Sequence, residues 1–132
     1  MCAFLSDFFF PPKKKTQPTP KVDRSDVERV IRRDYPPEQF DSVLSLLDEY
    51  GVKDYQKGKD RVQLAALKLA SGSLDKLRRA IDLAKTDYRD VLVPSEFPRY
   101  SAEGFQIQKL SIKDYNRIIE EDWKQYNDWL GR

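Results

Sequence analysis

The sequence has no histidine and a single cysteine, Cys2, among its 132 residues. Without histidine the chain cannot build a Ser-His-Asp or Cys-His nucleophile pair, and it lacks the commonest metal ligand. One cysteine forms no intramolecular disulfide and no cysteine zinc site. This usage fits a reducing compartment, and the reading is a cytoplasmic protein without a cofactor. Long apolar runs are missing as well. None approaches the roughly 18–20 residues of a membrane span. Met1–Phe10 is apolar but short, and Asp7 interrupts it. With no basic region before it and no small-residue cleavage site, it does not read as a signal peptide.

An excess of one charge is also absent. Charged residues make up 35 % of the chain, yet the net charge is only +2. Interspersed charge at this density marks solvated helix faces. A protein that binds nucleic-acid backbone normally carries a stronger basic bias. Arg29, Arg32 and Arg33 with Lys13–Lys15, and the run Lys76, Arg78, Arg79, Lys85 and Arg89, are broken up by Asp23, Asp26, Glu28, Asp34, Asp75 and Asp82. There is no strong nucleic-acid signal.

What is present is helical periodicity. Residues 1–22 stand apart as a tail, with Phe4, Leu5, Phe8, Phe9 and Phe10 ahead of Pro11-Pro12, three lysines, Pro18 and Pro20. Prolines remove backbone donors and fix φ, so Pro11 to Lys21 reads as an extended linker, mobile or packed on the domain. The aromatic head either folds back over an apolar seam or forms an interfacial anchor with the lysines. One such signal alone binds lipid only marginally. The single domain spans residues 23–132. Ser25 to Glu28 has capping-box spacing, followed by Val27, Val30 and Ile31 on one face. Tyr35-Pro36-Pro37 stops that helix. Phe40, Val43, Leu44, Leu47 and Tyr50 predict a second one, closed by Gly51. Asp60 to Ala70 is apolar on most sides and should lie at the centre. Gly72 and Ser73 make a sharp corner. Leu74, Leu77, Ala80, Ile81, Ala84, Tyr88, Val91 and Leu92 then predict one long helix ended by Pro94. Residues 94–104 read as a loop and Phe105 to Leu110 as an extended segment. Ser111 caps a last helix with a broad aromatic face. The fold class is all-α, a compact bundle of about four to five helices with an extended N-terminal tail.

Arg61-Val62-Gln63-Leu64-Ala65-Ala66-Leu67-Lys68-Leu69-Ala70-x-Gly72, then Asp87-Tyr88-Arg89-Asp90-Val91-Leu92, Glu96-x-Pro98, and the ending Asp122-Trp123-x-x-Tyr126-x-x-Trp129-Leu130 form a distinctive set of strings. Together they resemble a group of small uncharacterised bacterial proteins of about this size, across roughly residues 35 to 130. The resemblance implies a bacterial cytoplasmic protein and carries no activity, ligand or partner. Val93-Pro94-Ser95 stands where that group has an alanine-rich stretch.

Three constellations compete for function. Asp87, Arg89, Asp90, Glu96 and Arg99 form a charged cluster. Its carboxylates Asp87, Asp90 and Glu96 are the candidates for acid–base work or for an oxygen-ligated divalent cation. The simpler reading of the same residues is a salt-bridge network tying a helix end to its loop. Glu120-Glu121-Asp122 reads as a solvated face, because successive helical residues diverge. Trp123, Tyr126, Trp129 and Leu130 either complete the core or offer a surface to a protein partner or a second copy. The six-residue spacing sets the two tryptophans some 120° apart. Trp123 is expected to be the more buried and Trp129 the more accessible. The leading reading is a small helical protein–protein interaction or accessory module and not an enzyme. The alternatives are a carboxylate-dependent enzyme or divalent-cation-binding protein, and a weak nucleic-acid or anionic-surface binder.

Overall fold

Asp23 starts the first helix. Its side chain accepts from the Asp26 N–H at 3.2 Å, and the Asp26 carboxylate accepts from the Asp23 N–H at 3.0 Å. This reciprocal box lies two residues before the one expected at Ser25. Aspartate caps as well as serine does, so the earlier of two adjacent boxes closes. The computed structural model describes residues 13–132. Among these residues there are seven α-helices and no strand. They are α1 (Arg24–Asp34), α2 (Phe40–Leu47), α3 (Lys59–Ala70), α4 (Leu74–Thr86), α5 (Arg89–Glu96), α6 (Pro98–Glu103) and α7 (Ile112–Leu130). Two 3-10 turns, Pro37–Gln39 and Gly104–Lys109, precede α2 and α7.

The expectation of four to five helices was too low, for two local reasons. The long helix read from Leu74 to Leu92 breaks at Asp87, which is extended (φ −152°). The Asp87 carboxylate accepts from the Arg89 N–H at 3.0 Å and so starts α5. An aspartate that can bond nearby N–H groups favours a helix start over a helix interior. Pro94 then sits inside α5 and does not end it. The carbonyl it leaves without an intrahelical donor is that of Asp90, an exposed residue within reach of water. Pro98 opens α6, as proline does at a first helical position. The segment Phe105 to Leu110, expected to be extended, is mostly a 3-10 turn.

Helix α3 is the axle. Val62, Leu64, Ala65, Ala66, Leu67 and Ala70 are all buried, which accounts for its apolar circumference. Gly72 turns the chain from α3 into α4 with φ +82°, and a Cβ there would stand 3.0 Å from the Asp34 carbonyl. Both the turn and the close approach of α1 therefore demand glycine. Ser73 caps α4 by accepting from the Lys76 N–H at 3.2 Å. Gln63, fully buried, donates to the carbonyls of Leu47 (2.8 Å) and Tyr50 (3.2 Å) and so satisfies the C-terminal end of α2. Leu67 and Leu77 face each other's helices in this core with no exposed surface. Replacing either with alanine should cost about 3 kcal/mol, within the roughly 2–5 kcal/mol range for such cavities. The check is a lower urea midpoint at unchanged slope.

Helix α7 closes the bundle and is held at both ends. At its C-terminal end Arg29 donates to the Leu130 carbonyl and Arg33 to the Trp129 carbonyl, both at 2.7 Å. At its start, Asn116 donates to the Lys13 carbonyl (3.0 Å) and accepts from the Lys15 N–H (2.7 Å). Lys14 stands 5.0 Å above the Tyr115 ring, and Lys15 pairs with Glu120. Residues 13–22 carry no helix, and this part of the tail rests against α7, with Pro20 buried. The aromatic head, Phe4 to Phe10, lies outside the described residues.

Candidate functional site

The charged cluster read from sequence is divided among different partners. Glu96 is 1 % exposed and receives both Nε (2.8 Å) and Nη2 (2.7 Å) of Arg61, which reaches across from α3. Asp87 is bound instead by its neighbour Arg89, through Nε and Nη2 at 3.1 Å each. That guanidinium holds the Asp87 carboxyl below the usual carboxylate range, and the backbone bond to it adds to the effect. Asp90 is exposed on α5. Arg99, on α6, pairs with Glu121 of α7. Asp87, Tyr88 and Arg89 line a hollow of about 300 Å³ beside Tyr55 and Gln56. Among the described residues no three carboxylate or cysteine side chains group closely enough to hold a metal ion.

Next to the Arg61–Glu96 pair the Tyr126 hydroxyl is buried without a hydrogen-bond partner among the described residues, as is that of Ser95. Burial raises the Tyr126 phenol well above its ordinary range, and the Glu96 charge adds to this. Asp122 corrects the sequence reading of a solvated acidic face. It is fully buried, and its two carboxylate oxygens accept from the N–H groups of Arg99 and Tyr100 at 3.0 Å each. The signal was in the spacing, for Ile119, Asp122 and Tyr126 share one stripe at intervals of three and four.

The aromatic face of α7 is also resolved. Tyr126 is fully buried and Trp129 is 8 % exposed, with ring centroids 5.5 Å apart. Leu130 is partly buried against the same core, while Trp123 is half-buried outside it. The expected order of the tryptophans is therefore reversed. Trp129 lies on the stripe with Asp122 and Tyr126, and the Arg33 guanidinium stacks on its ring at 5.1 Å. That contact holds the indole in place at the helix end.

A hollow opens beside this indole, where α1, the end of α3 and α7 meet. It is an open cleft of about 820 Å³ lined by Arg33, Asp34, Lys68, Ser71, Gln125, Asp128, Trp129 and Arg132. Its charges are unevenly matched. Arg33 is paired with Asp34 at 2.8 Å. Lys68 and Arg132 have no ion pair among the described residues. Burial pushes the Lys68 ammonium below its ordinary pKa of 10.5. The Asp122 charge opposes the shift and the Arg132 charge adds to it. A half-buried ammonium without an ion pair is costly to keep, and an incoming anion would relieve it. Sequence reasoning missed Lys68 because it interrupts the most apolar run of the chain, where a single lysine reads as the solvated edge.

No protein-family model matches the chain, and no curated protein or solved structure matches it either. No helix of the described residues is long and apolar enough to cross a membrane.

Proposed function

We propose that the protein is a binding module whose α1–α3–α7 cleft takes a ligand bearing a carboxylate or phosphate next to a planar or apolar group. The observation that carries this reading is Lys68, a partly desolvated cation in this cleft with no ion pair among the described residues. Arg132 supplies a second cation, and Gln125 and Ser71 supply neutral hydrogen-bonding groups. The edge of the Trp129 ring offers the apolar wall. A few convergent polar groups beside an aromatic surface is the usual make-up of a small-ligand site. The accessory-module reading of the sequence is compatible with it when the anionic group belongs to a partner chain.

The test uses phenyl phosphate, benzoate and benzylamine as probes. The two anions should raise the melting temperature through linkage, and the amine should not. Lys68→Met should abolish the rise. No shift with either anion at millimolar concentration, or an equal shift in the Lys68→Met protein, would overturn the proposal.

The same variant carries a pH signature. The folded pKa of Lys68 lies below its unfolded value, so the unfolded chain binds the proton more readily. Its contribution to stability is thus fully present above about 10.5 and is lost as pH falls through the lowered folded pKa. Without ligand, Lys68→Met should therefore melt higher than the parent at pH 7. The gap should close as pH approaches about 10.5. Equal melting temperatures at pH 7 would show that the ammonium is well solvated.

A further inference from the structure

We infer that Lys68 captures its ligand covalently, as a Schiff base, and that the ligand class is an aromatic aldehyde carrying a carboxylate or phosphate. The inference rests on the anion-binding reading of the α1–α3–α7 cleft and names a further group on the ligand. Three features of the cleft carry it. The first is chemical type. Lys68 is the one amine among the residues that line the cleft, for the other two cations, Arg33 and Arg132, are guanidiniums. A guanidinium stays protonated in proteins, whereas a lysine amine becomes a nucleophile once it loses its proton.

The second feature is the state of the nearby acids. Asp34 is held by Arg33 at 2.8 Å, and Asp128 pairs with Lys124 at 3.8 Å. The buried Asp122 spends both carboxylate oxygens on the N–H groups of Arg99 and Tyr100. Each of these acids thus has a partner other than Lys68. The third feature is placement. Val62 to Leu67 and Ala70 are buried, so the helix that carries Lys68 is anchored along its length. The Lys68 side chain itself is half-buried beside Trp129. Burial and the Arg132 charge both disfavour the ammonium there, against the opposing charge of Asp122. Desolvation beside a second cation readies an amine for nucleophilic attack.

In the reaction the neutral amine of Lys68 attacks the carbonyl carbon. The N–C bond forms as the carbonyl π pair moves to oxygen, and one N–H proton passes to that oxygen to give a carbinolamine. The second N–H proton leaves with the hydroxyl as water, and the nitrogen lone pair closes the C=N bond. Nothing is oxidised or reduced. Arg132, without an ion pair among the described residues, remains to hold the ligand's anionic group.

The experiment incubates the full 132-residue chain with 4-formylbenzoate or benzaldehyde. Sodium cyanoborohydride fixes any imine as a secondary amine, and peptide mass spectrometry maps the label. Lys68 should take the label ahead of the exposed Lys53 and Lys76. Measured against butylamine, it should favour 4-formylbenzoate over benzaldehyde by about tenfold, the effect of one charge-assisted hydrogen bond. Phenyl phosphate should suppress the label at Lys68 and leave that at Lys53 unchanged. Arg132→Gln should remove the preference for the carboxylate. Labelling of Lys68 no faster than of Lys53 would overturn the inference. A melting shift with phenyl phosphate alongside that result would leave the anion site standing. Labelling that ignores both the carboxylate and phenyl phosphate, with no melting shift, would overturn both readings.

Discussion

Glu96→Gln should destabilise the protein by about 3 kcal/mol, the low end of the range for breaking a buried ion pair. The amide keeps the shape of the carboxylate but removes its charge, and Arg61 is left facing a neutral group. Glu96 is 1 % exposed and accepts both prongs of the guanidinium, so no water replaces the lost interaction on its side. Arg61 retains 30 % side-chain exposure and can rehydrate in part, which limits the loss. A second variant separates charge from packing. Arg61→Met combined with Glu96→Leu removes both charges and should recover most of the stability, because the desolvation cost leaves with the pair. Urea unfolding followed by circular dichroism reads both. A loss under 1 kcal/mol in the single variant would mean that Glu96 is better hydrated than its burial indicates.

Trp129→Ala should cost roughly 3–5 kcal/mol, the range for a buried Trp. The indole packs on Tyr126 at 5.5 Å and carries the Arg33 guanidinium at 5.1 Å, so its removal also frees a cation that helps bind the end of α7. Trp123→Ala, outside the main core, should cost much less. The comparison distinguishes core from contact surface. A large stability loss with unchanged sedimentation would assign Trp129 to the core. A small loss with weakened self-association would assign it to an interface and contradict its burial. The Arg33→Met variant, which keeps a packing stem but no charge, should fall between the two tryptophan variants.

Features written in local periodicity were legible in the sequence. The buried α3, the corner at Gly72 and the Ser111 cap each follow from residues within a few positions of one another. The break at Asp87 was hidden because Tyr88 continues the stripe of Ala84 at the right interval, while the competing signal is one side-chain bond to the Arg89 N–H. Pro94 misled for the opposite reason. It is a strong general stop signal, yet at this position the carbonyl it deprives belongs to the exposed Asp90. The candidate site was less legible still. Arg61 and Glu96 are 35 residues apart, and no periodicity links them. Lys68 gains its meaning only when Trp129 and Arg132 close around it. Asp122 was the exception, since its place on the stripe of Ile119 and Tyr126 was visible and its charge argued against it.

The grip on both ends of α7 has a kinetic side. Arg29 meets Leu130 and Lys15 meets Asn116 across 101 residues each, and Arg33 meets Trp129 across 96. Helix α7 otherwise packs on α5 and α6, its neighbours in sequence, so these bonds are what join it to α1 and the tail. Closing a long loop must precede any reward from it, so local pairs are expected to form early and the bonds from α1 and the tail to α7 to close late. Interactions made after the transition state govern the escape rate from the native state and leave the folding rate nearly untouched. The two arginine clasps on α7 therefore act as a latch on unfolding, and the lifetime of the closed molecule depends on how firmly its last helix is held.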